Sequence, residues 1–409
     1  MRGGEDTLNP DSTLTEALGL EPRARDRPSI APEEAARNGA ESPLRKLYVE
    51  VTNRCNIACA TCVRHAWNEP AGMMEMAVFE RLMEQSGDMP CLQTLQFGGY
   101  GEPLLHPDLP DMVRLAHARR LRTEILTNGL LLDDGLSEAL ARSGLDAVLV
   151  SLDGATPATY SRVRRGSNIQ LVTENLYNFT RTYYRVRGAL PEIGIVFVAM
   201  KSNFHEFGAL RSLALSLGAS SITVTNLLPH TKRMMGETLY GRDVPTAFEP
   251  EAGRWNPHIT IPKMDLNEHT TGPIVDLLSN HPNASWGRSR LSGWENYCPF
   301  IREGRAAVGW DAAVSPCLAL MHSYKCFVLG REKAIRRCVM GDVRQRRLAD
   351  IWRDAAYTEF RGRVARFDFP PCPDCGACEL VASNEKDCLG NPFPVCGDCL
   401  WARGILQCP

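Results

Sequence analysis

The chain has 409 residues, 44% of them hydrophobic, so it can bury a large core and is neither a disordered nor a fibrous protein. Its 46 basic and 48 acidic side chains leave a net charge of −2 at pH 7, which gives no electrostatic reason to expect a nucleic acid or a membrane as partner. The sequence shows neither an apolar run of about eighteen residues nor a secretory signal pattern, and we therefore expect a cytoplasmic protein.

Fifteen cysteines are unusual for such a chain. Thiols in a reducing cytoplasm do not form lasting disulfides, so this number indicates metal binding instead. Three cysteines lie between positions 55 and 62, one stands alone at 91, and eleven lie between 298 and 408. This distribution predicts two separate metal-binding regions.

The chain begins with residues 1–44, which are rich in Pro, Ala, Glu and Arg and are expected to be mostly disordered. After them, short apolar or β-branched runs alternate with amphipathic segments of helical spacing. Six of these runs predict strands: KLYVEVT (46–52), TLQFGG (94–99), TEILTNG (123–129), AVLVSLDG (147–154), IGIVFVAM (193–200) and ITVTNLLP (222–229).

This alternation predicts an α/β fold with a parallel sheet and right-handed crossovers. Six units are fewer than the eight of a complete TIM barrel. We therefore predict a partial (βα)6 TIM-like barrel over residues 45–229, with a doubly wound sheet as the alternative. In both architectures ligands bind at the carboxyl ends of the strands.

The rest of the chain has a different character. Residues 230–297 are rich in Pro, Gly, His and Asn and are predicted to be a connector. Residues 298–409 predict a small cysteine-rich domain of short turns, hairpins and one helix. Its apolar runs are too few to hold it together without metal.

The first candidate metal site directly follows the first predicted strand. In VTNRCNIACATC, Cys55, Cys59 and Cys62 have the spacing C-x3-C-x2-C. Three thiolates can hold three irons of a [4Fe-4S] cluster and leave the fourth iron open for a substrate or cofactor. A zinc site completed by His65, or three unligated core cysteines, is the alternative.

This motif resembles that of the radical SAM superfamily, in which S-adenosylmethionine (SAM) chelates the open iron. The resemblance covers about 46–229 and implies an enzyme that reductively cleaves SAM to a 5′-deoxyadenosyl radical, which takes a hydrogen from the substrate. It also implies SAM-binding roles for Gly98, Gly99, Gly101 and Glu102 in GGYGEP, Asn128 in TNG, Ser151 and Asp153 in SLDG, and Arg164 in RVRRG. Arg165 is a rival to Arg164, and no catalytic acid or base can be named.

One position departs from the family pattern. Many members carry an aromatic residue or His just before the third cysteine, where it packs the adenine, but this sequence has Thr61. Adenine packing is therefore expected to come partly from elsewhere, such as the apolar residues of LLPH (227–230).

The tail holds seven cysteines between 372 and 408. Two more flank a predicted hairpin, VGWDAAVSP, and bring the number to nine, one more than two four-thiolate clusters need. This pattern resembles the SPASM extension of radical SAM enzymes and implies one or two auxiliary [4Fe-4S] clusters. The candidate ligands are Cys298, Cys317, Cys372, Cys375, Cys378, Cys388, Cys396, Cys399 and Cys408. Zinc knuckles in CPDC and CGDC are the alternative.

The other cysteines, Cys91, Cys326 and Cys338, are predicted to be free thiols. In the related sulfatase maturases an Asp directly follows the hairpin's second cysteine and acts as a base. Leu318 occupies that position here, which argues against that particular chemistry.

Longer stretches are similar to a narrower group, the radical SAM maturases associated with tungsten oxidoreductases of the aldehyde ferredoxin oxidoreductase type. They are CVRHAW (62–67), GGYGEPLLHP (98–107), TNLLPHT (225–231), SPCLALMHSY (315–324) and NPFPVCGDCLWARGILQCP (391–409). This similarity implies action on a tungsten-pterin cofactor or on the oxidoreductase that receives it, with a low-potential electron donor such as ferredoxin or flavodoxin. The candidates to line a polar substrate pocket are Arg64, His65, Trp67, His106 and His230.

Two other functions stay open from the sequence. Within the same enzyme class, the chain could be a peptide maturase that forms thioether or carbon–carbon links in a precursor. In a different class, it could be an iron-sulfur electron-transfer or binding protein that never cleaves SAM. The use of three cysteines rather than four at the first site argues against this second alternative.

Overall fold

The computed structural model describes residues 42–241, 258–262, 264–280, 284–286, 296–370, 372 and 378–408. The expectation of disorder for residues 1–44 therefore lies outside the described residues up to position 41, and so does the ligand candidate Cys375. The last residues of that segment are packed. Leu44 is buried, and the carbonyl of Ser42 accepts a hydrogen bond from the Trp352 indole at 3.1 Å.

The first part of the chain folds as the predicted series of strands and helices. The six strands are β1 (Lys46–Val49), β2 (Thr94–Phe97), β3 (Arg122–Thr127), β4 (Ala147–Ser151), β5 (Glu192–Ala199) and β6 (Ser221–Asn226). The helices between them are α1 (Met76–Ser86), α2 (Leu109–Ala118), α3 (Asp134–Ser143), α4 (Pro157–Val163), α5 (Ile169–Arg187) and α6 (Phe207–Ser216). Each strand pairs in parallel with the next, so the predicted parallel α/β sheet is confirmed.

The sheet continues into the segment interpreted as a connector. This segment contains the short helix α7 (Lys232–Met235), β7 (His258–Ile261), α8 (Thr271–Asn280) and β8 (Ala284–Trp286). β7 pairs in parallel with β6, and β8 pairs in parallel with β7. Residues 230–297 are therefore more than a connector, because they contribute two strands to the sheet. Their Pro- and Gly-rich composition did not predict these strands.

The cysteine-rich part joins the opposite edge of the sheet. Its elements are α9 (Pro299–Arg302), β9 (Arg305–Val308), β10 (Ala313–Ser315), β11 (Tyr324–Val328), β12 (Arg331–Ile335), β13 (Gly341–Asp342), α10 (Leu348–Trp352) and α11 (Ala355–Arg366). β9 pairs in parallel with β1, and β10 folds back on β9 to form the predicted hairpin. Within the described residues this gives one sheet of eleven strands, while β11 and β12 form a separate hairpin.

The segment 341–352 attaches the cysteine-rich part to the barrel. Gln85 on α1 donates to the carbonyl of Val343 at 3.0 Å and accepts from the backbone N–H of Leu348 at 2.9 Å. Because β9 lies beside β1, the end of β1 and the end of the β9–β10 hairpin meet at one side of the molecule. In the described part of the chain, no helix has the length and apolar character needed to span a lipid bilayer.

Candidate active site

The loop that carries the first three cysteines leaves the carboxyl end of β1 and is fixed by backbone hydrogen bonds. The N–H of Ala58 donates to the carbonyl of Arg165 at 3.0 Å, and the N–H of Ala60 donates to the carbonyl of Val163 at 2.8 Å. All three thiols are partly exposed. The loop therefore presents Cys55, Cys59 and Cys62 at the carboxyl side of the sheet, where ligands bind in such folds.

The glycines of GGYGEP are required by close packing against this loop. A Cβ atom at Gly101 would lie 2.0 Å from the carbonyl oxygen of Thr52 and 2.7 Å from that of Arg54. A Cβ atom at Gly99 would lie 2.6 Å from a carboxylate oxygen of Glu50. Only glycine lets GGYGEP approach the chain that leads into the cysteine loop so closely. GGYGEP therefore packs directly against the start of this loop.

Glu102 joins the ends of two strands. Its buried carboxylate accepts hydrogen bonds from the hydroxyl of Thr127 at 2.7 Å, the N–H of Asn128 at 2.8 Å and the N–H of Leu104 at 3.1 Å. Burial raises the pKa of Glu102, and these donors oppose the rise. A carboxylate offers about four acceptor positions, so about one remains for the predicted contact with the amino group of SAM.

Two side chains donate hydrogen bonds toward the cysteine sulfurs. The amide of Asn128 points at the sulfur of Cys55 at 3.9 Å, and the guanidinium of Arg164 points at the sulfur of Cys59 at 3.6 Å. Arg164 is also held by Asp153 through a 2.7 Å ion pair. Hydrogen bonds to the sulfurs are one of the means by which proteins tune iron-sulfur clusters.

The structure distinguishes the two neighbouring arginines. Arg164 is buried and faces the cysteine loop, whereas Arg165 is exposed. Asp153 is fully buried, and Ser151 is half-buried at the end of β4. The structure thus brings Asn128 and Arg164 next to the cysteines, with Asp153 bound to Arg164. The roles of these residues and of Ser151 in binding SAM stay predictions.

The local chemistry fits a cluster held by three cysteines. Burial raises the pKa of the Cys59 thiol to about 11, even though Arg164 opposes this, and burial also raises the pKa of Cys62. Without a metal these thiols keep their protons, and iron binding would displace them. One guanidinium nitrogen of Arg64 is buried and has no hydrogen-bond partner among the described residues, which suits a site that gains negative charge.

The auxiliary cysteines form two groups. Cys298, Cys317, Cys396 and Cys399 line one cavity of about 70 Å³, and Cys326, which is predicted to be a free thiol, lines the same cavity. The second group lines a cavity of about 30 Å³ and consists of Cys372, Cys378 and Cys388. The sequence had left the division of these ligands open. Cys408 packs against the same apolar cluster as Cys298 and Cys317, on the side of the first group.

Comparison with known proteins identifies the family. The radical SAM superfamily profile matches residues 49–201, and the SPASM iron-sulfur cluster-binding domain matches residues 298–379. A tungsten-containing aldehyde ferredoxin oxidoreductase cofactor-modifying protein of Pyrococcus furiosus is 32% identical over 374 residues, which are 90% of this chain and 97% of that protein. The chain belongs to the radical SAM superfamily.

Other radical SAM relatives are more distant. A PqqA peptide cyclase of Gluconobacter oxydans is 26% identical over 87% of this chain and 91% of the cyclase. The crystal structure of Streptococcus suis SuiB bound to its precursor peptide SuiA has a TM-score of 0.55 at 16% identity, covering 87% of this chain and 73% of SuiB. The latter likeness supports the fold alone.

Membership of the radical SAM superfamily confirms several of the predictions. The chain is an enzyme, and its family uses a [4Fe-4S] cluster together with SAM. The SPASM domain implies auxiliary iron-sulfur clusters. The assignment of particular residues to these groups rests on the geometry described above and stays a prediction.

The candidates for a polar substrate pocket in this radical SAM enzyme separate into two kinds. His106 is buried, with one ring nitrogen 2.8 Å from the carbonyl of Met74, so it packs rather than lining a pocket. His65 is exposed beside the cysteine loop, with a ring nitrogen 3.1 Å from the carbonyl of Cys59. Its ring lies 6.1 Å from that of His230, so the structure brings these two histidines together.

A buried histidine that the sequence analysis missed connects the two domains. The ring nitrogens of His322 lie 2.8 Å from a carboxylate oxygen of Glu50 and 2.5 Å from one of Glu69. The ring of Trp67 packs on His322 with 4.2 Å between centroids, and Tyr100 packs on both. The available signal was that Trp67, Tyr100 and His322 come from three different stretches similar to the tungsten-associated maturases.

The charge of His322 predicts a pH-dependent stability. Burial alone lowers its pKa, but the hydrogen bonds and charges of Glu50 and Glu69 outweigh burial and raise the pKa from 6.5 to about 9. A raised pKa stabilises the fold fully below pH about 6.5, and this contribution is lost as the pH rises through about 9.

We therefore expect His322→Gln to be less stable than the wild type by about 3 kcal/mol below pH about 6.5. The difference in the free energy of unfolding should shrink as the pH rises from about 6.5 to about 9. Anaerobic denaturant titration at several pH values measures this difference. His205→Gln, a change at an exposed histidine, is the control and should show no such trend. A difference in stability that does not depend on pH would contradict a protonated His322 held between Glu50 and Glu69.

Proposed function

We propose that this enzyme cleaves SAM reductively at the Cys55–Cys59–Cys62 cluster and acts in the maturation of a tungsten-pterin oxidoreductase or its cofactor. The observation that carries the substrate class is the 32% identity to the cofactor-modifying protein, which extends over 97% of that protein. The packing of Trp67 and Tyr100 around His322 supports it, because these residues come from separate stretches that resemble this group.

In this proposal the chain's residues position the cofactor. A reduced cluster held by Cys55, Cys59 and Cys62 would supply the electron that splits SAM, and the protein would supply binding, orientation and exclusion of water. Asp153 fixes Arg164 beside Cys59, and the Arg164 guanidinium would bind the carboxylate of SAM. Leu227 forms a small apolar cluster with Val163 at the carboxyl side of the sheet, and this cluster would pack the adenine that Thr61 cannot.

The fifteen cysteines support a cytoplasmic site of action, where thiols stay reduced. The electron for SAM cleavage would come from a low-potential donor such as ferredoxin or flavodoxin. A second candidate function, maturation of a precursor peptide, is favoured by the 26% identity to a PqqA peptide cyclase over 91% of that protein.

The test is a SAM cleavage assay with anaerobically reconstituted protein, a reductant and SAM. We expect 5′-deoxyadenosine to form, and its rate to rise well above the uncoupled background when an immature tungsten oxidoreductase is added. Cys55→Ala should lose all cleavage while it keeps the iron of the auxiliary clusters. Cleavage without stimulation would discard the tungsten substrate in favour of a peptide, and no cleavage from fully iron-loaded protein would overturn the proposal.

A further inference from the structure

A buried ion pair lies in the wall between the two groups of auxiliary cysteines. The ammonium of Lys333 is 2.6 Å and 2.8 Å from the two carboxylate oxygens of Asp398. Both side chains are buried, with relative exposures of 4% and 7%. Lys333 lies on β12, and Asp398 lies in the turn between Cys396 and Cys399.

The same ion pair borders both cavities. Lys333 and Asp398 line the cavity of Cys298, Cys317, Cys396 and Cys399, and they also line the cavity of Cys372, Cys378 and Cys388. Among the described residues around the first cavity, Lys333 is the sole lysine or arginine. Most other residues that line this cavity are apolar, so solvent screens the charge of Lys333 only weakly.

Stability alone is a weak reason for this arrangement. Replacing a buried ion pair by apolar side chains of similar volume is often neutral or stabilising. An iron-sulfur cluster becomes more negative when it accepts an electron, and its reduction potential depends on nearby charge, hydrogen bonds and exposure. A buried cation next to two clusters favours the reduced form of each.

We propose that the Lys333–Asp398 pair sets the reduction potentials of the two auxiliary clusters together. Lys333 is the shared positive charge that raises both potentials, and Asp398 positions its ammonium in the wall and moderates its effect. The proposal rests on the assignment of the two cysteine groups as cluster ligands. It does not depend on the substrate or on SAM cleavage.

The experiment is an EPR-monitored redox titration of the two auxiliary clusters. The full chain is used with Cys55, Cys59 and Cys62 changed to Ala, so that the first cluster does not contribute a signal. Lys333→Met should lower both midpoint potentials, and Asp398→Asn should raise both, because it leaves Lys333 without its counter-charge. Lys333→Arg should restore the potentials toward those of the parent.

Lys325→Met is the matched control, because Lys325 lies on the neighbouring strand β11 of the same hairpin and its side chain is 70% exposed. It should leave both potentials unchanged. Iron and sulfide content are measured for every variant. If Lys333→Met loses iron, the upward shift in Asp398→Asn decides, and unchanged potentials in iron-loaded Asp398→Asn overturn the proposal. A shift in only one cluster also overturns it, and a parent with less iron than two clusters need would contradict the ligand assignment instead.

Discussion

Gly101→Ala is expected to prevent assembly of the first cluster and to remove SAM cleavage with it. The new Cβ would lie 2.0 Å from the carbonyl oxygen of Thr52 and 2.7 Å from that of Arg54. Both contacts are with backbone, so no side chain can rotate away. The strain of overpacking, typically about 1–3 kcal/mol and occasionally more, must displace the loop that begins at Cys55.

The measurements for Gly101→Ala are iron content, the EPR signal of the reduced first cluster and formation of 5′-deoxyadenosine. We expect a loss of about four irons per chain, while the iron of the auxiliary clusters remains. Gly208→Ala is the control, because a Cβ there meets nothing within 4 Å, and alanine stabilises a helix by about 1 kcal/mol relative to glycine. A Gly101→Ala protein with full iron and normal cleavage would contradict the close packing of GGYGEP on the cysteine loop.

The fold could be predicted largely because its main strands are buried on both faces. Runs such as that of β5 are almost continuously apolar, and amphipathic helices separate them, which leaves few topologies. β7 and β8 were missed because they are short strands within a segment whose Pro, Gly, His and Asn content predicts a connector. The pairing of β9 with β1 joins Lys46 to Arg305, and no local pattern can show a contact at that separation.

At the active site, spacing predicted the thiols but not the groups that surround them. The motif C-x3-C-x2-C is local, so the loop could be located from sequence alone. The choice between Arg164 and Arg165 depends on which side chain turns inward at the end of α4, and adjacent residues of the same type give no such signal. His322 contacts Glu50 and Glu69, which lie far from it in the chain. Such contacts arise only in the tertiary structure, so no local pattern predicts them.

The grouping of the auxiliary cysteines also depends on contacts that local sequence patterns do not predict. Their number indicated one or two clusters, but the division into two groups depends on the turn that carries Cys396 and Cys399 folding back toward Cys298. The buried Lys333–Asp398 pair between the groups links β12 to that turn across 65 positions of the chain. Composition predicted a domain held by metal, and the tertiary structure places its cysteines around two separate cavities.

Asp153→Ala is expected to lower both the stability of the protein and its affinity for SAM. Asp153 is fully buried, accepts from Arg164 at 2.7 Å, and also accepts from the N–H of Val198 at 2.8 Å. Its removal leaves a buried guanidinium without its counter-charge, which typically costs about 3–5 kcal/mol. Arg164 would then no longer be held toward Cys59, and loss of such a supporting contact typically lowers metal affinity or activity about 10- to 100-fold.

A double-mutant cycle separates these effects. Arg164→Met should itself be destabilising, but adding it to Asp153→Ala should recover part of the lost stability, because no unpaired charge then remains buried. SAM affinity should stay low in both single variants and in the double variant, since each lacks the oriented guanidinium. Glu138→Ala, which breaks the exposed pairs with Arg142 and Arg185, is the control and should change neither quantity appreciably. Additive losses of stability would mean that the Asp153–Arg164 pair does not act as a unit.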